Sequence, residues 1–124
     1  MRDAIRCLRS KGLKIGVITN NFFYDRARQK PTFFQTDTEL FDVVIESCRV
    51  GISKPDSAIY QMALNQLELK PEETLFLDDL QKNVNGATAL GMNAFLCVNP
   101  LEAISDIEKF VGFTLKSNEK EKKQ

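Results

Sequence analysis

Four short apolar runs punctuate the chain, at positions 13–18, 41–45, 74–77 and 93–98. Each is rich in Val, Ile, Leu or Phe, and none alternates cleanly between apolar and polar residues. Runs of that kind suit strands buried on both faces, as in a parallel sheet covered by helices. The stretches around them follow the other period. Positions 3–11 place Ala4, Ile5 and Leu8 on one helical face, with Gly12 where a helix stop belongs. Positions 56–67 gather Ile59, Ala63, Leu64 and Leu67 on a stripe. Positions 81–90 align Val84, Ala87 and Leu90 ahead of Gly91, and positions 101–111 align Leu101, Ile104, Ile107 and Val111.

Strands alternating with helices imply right-handed crossovers and a parallel sheet. The predicted fold class is therefore α/β, a Rossmann-like core of about four parallel strands with flanking helices. The connection at 20–40 is the least patterned stretch, made apolar by Phe22, Phe23, Phe33 and Phe34 and interrupted by Pro31. Residues 1–115 read as one domain. Residues 116–124 read as a charged disordered tail, with four lysines against two glutamates and a net charge of +2.

Composition narrows the function classes. The chain of 124 residues fits one domain with a real core, and its 43% apolar content is ordinary for a soluble globule. No apolar run approaches the roughly 20 residues needed to span a bilayer. The N-terminus does not read as a signal peptide, so no membrane partner is expected. Lys plus Arg and Asp plus Glu stand at 17 each, which argues against nucleic acid as a bulk electrostatic partner. Cys7, Cys48 and Cys97 are odd in number and far apart, as in a reducing compartment, and a cytoplasmic location is expected. There is no histidine, which excludes a Ser-His-Asp triad and any His-ligated zinc.

In open parallel α/β sheets, function collects at the carboxyl ends of the strands. Thr19-Asn20-Asn21 follows the first run. Glu46-Ser47-Cys48 follows the second, with Gly51-Ile52-Ser53-Lys54-Pro55-Asp56 soon after, and Asp78-Asp79 follows the third. Each has a plain alternative. Thr19 suits an ordinary turn or cap, Lys54-Pro55 suits a helix start, and Asp78-Asp79 suits a helix cap. Together, a hydroxyl with backbone amides, an ammonium and a carboxylate pair suit a phosphoryl group and Mg²⁺. The amides and hydroxyl would hold phosphate oxygens, the ammonium would neutralise charge, and carboxylates would hold a hard cation.

The order Thr19-Asn20, then Lys54-Pro55, then Phe76-Leu77-Asp78-Asp79 with Asn83, resembles the second, third and fourth sequence motifs of haloacid dehalogenase-like (HAD) hydrolases. The stretch Phe41 to Cys48, the stretch Gly51 to Tyr60 and the stretch Phe76 to Asn83 are similar to the phosphatase-like N-terminal domains of soluble epoxide hydrolases and acyl-CoA dehydrogenase family proteins. The resemblance spans residues 1–115. It implies that Thr19 and Asn20 bind phosphate, that Lys54 is the catalytic cation and also binds phosphate, and that Asp79 ligates Mg²⁺ with Asp78 and Asn83 in support. It also implies an aspartate nucleophile in an Asp-x-Asp motif, which attacks phosphorus while the second aspartate acts as acid and base. This chain contains no Asp-x-Asp; Asp37-Thr38-Glu39 follows no buried strand.

The resemblance further implies a central strand and a cap ahead of residue 1. The central strand would lie between the strands beginning near Leu13 and Thr74. Without it those two strands must pair directly, accept a strand from another chain or stay open, and an open edge invites association. Two functions are therefore expected. The first is a fragment of a Mg²⁺-dependent phosphatase domain, inactive alone, whose substrate on completion is a phosphorylated small molecule. The second is a non-catalytic module binding phosphate or a partner, including self-association or docking through the open sheet. A larger parent could carry the domain to mitochondria or peroxisomes. A receiver-like doubly wound domain would also use an acidic pair and a lysine, but this order of motifs fits it poorly.

Overall fold

The computed structural model describes residues 2–20 and 40–115. The unpatterned connection at 21–39, with Asp37-Thr38-Glu39, and the tail at 116–124 lie outside the described residues. Helix α1 spans Arg2–Ser10, strand β1 Gly16–Thr19, strand β2 Val43–Glu46 and the single-turn helix α2 Ser47–Val50. Helix α3 spans Ser57–Leu67, and a 3₁₀ turn at Pro71–Glu73 leads into strand β3, Leu75–Asp78. Helix α4 (Gln81–Ala89), strand β4 (Asn93–Leu96) and helix α5 (Pro100–Val111) complete the order. No helix among the described residues is long and apolar enough to cross a membrane.

Local chemistry sets the boundaries. Asp56 caps α3 by accepting from the Ala58 amide, so Pro55 precedes the cap and does not occupy the first turn. Asn99 caps α5 by accepting from the Glu102 amide, with Pro100 just inside the helix. That helix ends at Gly112, whose φ of 84° is left-handed and favours glycine. The entry of β1 is pinned by Asp42: its carboxylate accepts from the Ile15 amide at 2.7 Å and meets Arg9 at 3.2 Å.

All the strand pairing is parallel, as expected, but it divides. Strand β1 pairs with β2, and β3 pairs with β4, as two separate two-stranded sheets. Among the described residues, β1 and β3 share no backbone ladder. They have not closed on each other in the way one continuous four-stranded sheet would require. What joins the two pairs is a helix layer. Val43 and Ile45 of β2, Ile59, Tyr60, Ala63 and Leu64 of α3, Phe76 of β3 and Ala87 of α4 form one buried cluster, with Ile18 of β1 against it. A second, smaller cluster sets Ala4 and Leu8 of α1 against Leu115, beyond α5, with Ile104, Ile107 and Val111 of α5 packed against them.

Three expectations about burial need correction. Leu101 was placed on the inner stripe of α5 but is 80% exposed, because Ala103 takes the buried position in that first turn. Strand β4 is not covered on both faces: Phe95 and Leu96 are exposed, consistent with its having β3 as its single strand neighbour among the described residues. Conversely, Tyr60 and Asn83 are almost fully buried although neither belonged to a predicted stripe.

Candidate functional site

The site begins at the carboxyl end of β1. Asn20 follows that strand directly, and its side-chain amide grips the main chain of Lys54. Its Oδ1 accepts from the Lys54 amide at 2.9 Å, and its Nδ2 donates to the Lys54 carbonyl at 3.1 Å. The loop between α2 and α3 is thus tied to the end of β1. The Lys54–Pro55 peptide within that loop is cis.

From this anchored backbone, Lys54 reaches the end of β3. Its Nζ donates to Asp78 Oδ2 at 2.7 Å, and the two side chains are only 10% and 7% exposed. The ammonium also lies 5.7 Å from the centroid of the Phe76 ring, a cation–π distance. Asp78 is further held by the Leu80 amide, which donates to Oδ1 at 3.0 Å, and by Asn83 Nδ2 at 3.3 Å from Oδ2. Burial alone would push the Asp78 carboxyl up. The Lys54 hydrogen bond, the Leu80 amide and the Lys54 charge outweigh it and hold the carboxyl below its ordinary value of 3.8.

Asn83 sits in the first turn of α4 and is 2% exposed. Its Oδ1 is buried without a hydrogen-bond partner among the described residues. A buried oxygen acceptor left unsatisfied is uncommon and calls for a donor or a cation. Asp79 lies exposed beside Asp78. Oxygen donors of this type suit a hard cation such as Mg²⁺. The set is thin, however, because Asp78 is already engaged by Lys54 and no group of three or more acidic, Cys or His side chains lies together among the described residues.

The folded chain therefore joins Asn20, Lys54, Asp78 and Asn83 through hydrogen bonds, with Thr19 and Asp79 adjoining them in sequence. Thr19 closes β1, half-buried and in register with Glu46 of β2. Glu46, which follows the second apolar run but carries no role in the sequence pattern, is a neighbour of the site: it is 6% exposed and accepts from Arg49 Nε at 2.9 Å. Its signal was available, since a carboxylate closes the apolar run Val43-Val44-Ile45. Asp78 also borders an open depression of about 290 Å³ with Leu77, Cys97, Val98 and Ala103. Burial pushes the Cys97 thiol up. It therefore stays protonated at neutral pH and is a poor nucleophile.

The sequence pattern of the haloacid dehalogenase-like hydrolases matches residues 1–91. Acyl-CoA dehydrogenase family member 10 of Mus musculus is 42% identical over 115 residues, 93% of this chain but 10% of that protein. A phosphatase of Mycobacterium tuberculosis is 38% identical over 97 residues, 77% of this chain and 43% of its own. Among solved structures, an uncharacterized protein from Corynebacterium glutamicum shares the fold with a TM-score of 0.78 at 21% identity, covering 94% of this chain and 83% of that one. A HAD family enzyme of Bacteroides thetaiotaomicron, solved with magnesium and inorganic phosphate, superposes with a TM-score of 0.59 at 25% identity, covering 79% and 52% of the two chains. This chain spans less than half the length of either curated relative.

Proposed function

Since the chain belongs to the haloacid dehalogenase-like hydrolase family, we propose that it is part of a magnesium-dependent phosphoric monoester hydrolase domain. In this proposal it supplies the phosphate- and cation-binding side of the site and lacks the nucleophile. The observation that carries the proposal is the buried Lys54–Asp78 pair, anchored to the end of β1 by Asn20. Through Asn20, Lys54 and Asp78 it links the end of β1 to the end of β3.

The roles follow from chemistry. The Lys54 ammonium neutralises charge on a transferring phosphoryl group. Thr19 and Asn20 bind phosphate oxygens at the end of β1. For Asn20 that role falls to its main chain, because its side chain holds Lys54. Asp79, with Asp78 and Asn83 Oδ1, offers oxygen ligands. Magnesium, when bound, supplies a Lewis acid for the phosphoryl oxygens. The substrate is a phosphorylated small molecule, in the cytosol unless a longer parent carries the domain elsewhere.

No Asp-x-Asp occurs in the 124 residues, so the isolated chain is expected to be inactive. The test is an aryl phosphate assay with Mg²⁺ on the purified chain, beside Asp79→Ala. No turnover in either protein is the expected result. Turnover abolished by Asp79→Ala would mean that another carboxylate attacks phosphorus, and the inactivity claim would fall. One observation favours the alternative of a non-catalytic phosphate- or partner-binding module: Asp78, the better buried acid, is already committed to Lys54. Saturable binding of inorganic phosphate without magnesium would favour that module. Self-association through the strand sides of β1 and β3 is a further expectation, checked by sedimentation.

A further inference from the structure

Tyr60 has no assigned part in holding phosphate or a cation, yet it touches the elements on which the cluster depends. It is 0% exposed on α3. Its hydroxyl donates to the main-chain carbonyl of Asn83 at 2.6 Å, in the first turn of α4. Its ring meets Phe76 of β3 edge-on, with centroids 5.3 Å apart and planes at 83°. The face of Phe76 lies in turn 5.7 Å from the Lys54 ammonium. Phenylalanine would fill nearly the same volume with no polar atom to satisfy, so packing alone does not explain a buried phenol.

Gly86 meets the same place from α4. A Cβ there would lie 3.0 Å from Pro55 Cβ, from the Pro55 carbonyl oxygen and from the Tyr60 hydroxyl. Helix α4 therefore rests directly on the turn that carries Lys54, and a bond from Tyr60 ties it down one turn earlier. The contact limits how close α4 comes, and the bond limits how far it retreats. Asn83 is the group that senses the result. Its amide is 3.3 Å from Asp78 Oδ2, already near the limit of a hydrogen bond, so a small retreat of the helix breaks the contact.

We propose that Tyr60 is a positioning residue for the Lys54–Asp78–Asn83 cluster, acting with Gly86 to set the approach of α4 to the Lys54 turn. The phenol suits the task, because its O–H donates to a main-chain carbonyl that phenylalanine would leave without that donor. The functional consequence rests on the hydrolase proposal above, but the positioning itself is read without any turnover.

The experiment is ¹⁵N NMR of the whole chain at mildly acidic pH, following the Asn83 side-chain amide and the Lys54 ammonium. Tyr60→Phe and Gly86→Ala are compared with Ile59→Val, a packing control in the same buried cluster. Positioning predicts that both test variants shift the Asn83 amide and speed solvent exchange of the Lys54 ammonium several-fold. The control should lower the melting temperature and leave both signals in place. Tyr60→Phe that melts lower with both signals unmoved would reduce Tyr60 to a packing residue and overturn the proposal, as would an Ile59→Val that moves them equally. Should Tyr60→Phe not fold, Gly86→Ala decides on the same two signals. Failure here leaves the aryl phosphate assay unaffected, and an inactive wild type leaves these signals readable.

Discussion

The two helical layers of this domain are built from helices of similar length but hold the strands very differently. On one side, α3 and α4 bury Ile59, Tyr60, Ala63, Leu64, Asn83, Val84 and Ala87. On the other, Ala4 and Leu8 of α1 meet Leu115 beyond α5, with Ile104, Ile107 and Val111 of α5 only partly covered. Every polar side chain of the candidate cluster lies at a strand end or on the first side. Lys54 sits in the loop before α3, and Asn83 sits in α4. A charged pair 10% and 7% exposed survives only where surrounding groups are fixed well enough to keep it satisfied. Dense packing on the α3–α4 side supplies that fixity.

The harshest way to break this contrast is to strip the pair. Lys54→Ala leaves the Asp78 carboxylate buried without its cation, and losing one partner of a buried pair costs about 3–5 kcal/mol. Denaturant unfolding checks it; a loss below about 1 kcal/mol would class the pair with exposed ion pairs. A core deletion on each side comes next. Leu64→Ala in the dense cluster should cost about 4 kcal/mol and Leu8→Ala in the small one about 2 kcal/mol, because a looser site collapses more readily around the cavity. Equal losses would remove the contrast between the two layers.

Acid sharpens the same point more gently. The folded carboxyl of Asp78 is held below its ordinary value of 3.8. The stability it contributes is therefore complete above that pH and is lost as pH falls below it. Melts carried from neutral pH into acid, in metal-free buffer, should show this loss, and Lys54→Ala should flatten it. The smallest effect is expected at Leu101, on the outer face of α5. Leu101→Ala should change stability by no more than about 0.5 kcal/mol, since the side chain is 80% exposed. A larger loss by thermal melting would mean that this face is covered in solution.

Much of this could be read from the order of residues alone. The apolar runs at 13–18, 41–45, 74–77 and 93–98 located all four described strands to within a few residues, although β4 turned out to be largely exposed. Helix stripes and caps did the same for α1, α3, α4 and α5. Asp78 stood out because a carboxylate pair directly follows an apolar run, Lys54 because an ammonium precedes a proline in the loop after the second run, and Asn83 entered only with the family resemblance. Other features needed the folded chain. Periodicity reports which way a residue faces from its own element, but it carries no information on which distant group will meet it. By pattern the Asn20 side chain suited a ligand; its engagement with Lys54, 34 positions away, appears only when the two loops are brought together. The same holds for the division of the strands into two pairs, for Leu101 on the outside of its helix, and for Tyr60 between α4 and β3. Each was decided by contacts across the fold, where the strength of a site depends on distances that no local stretch of sequence records.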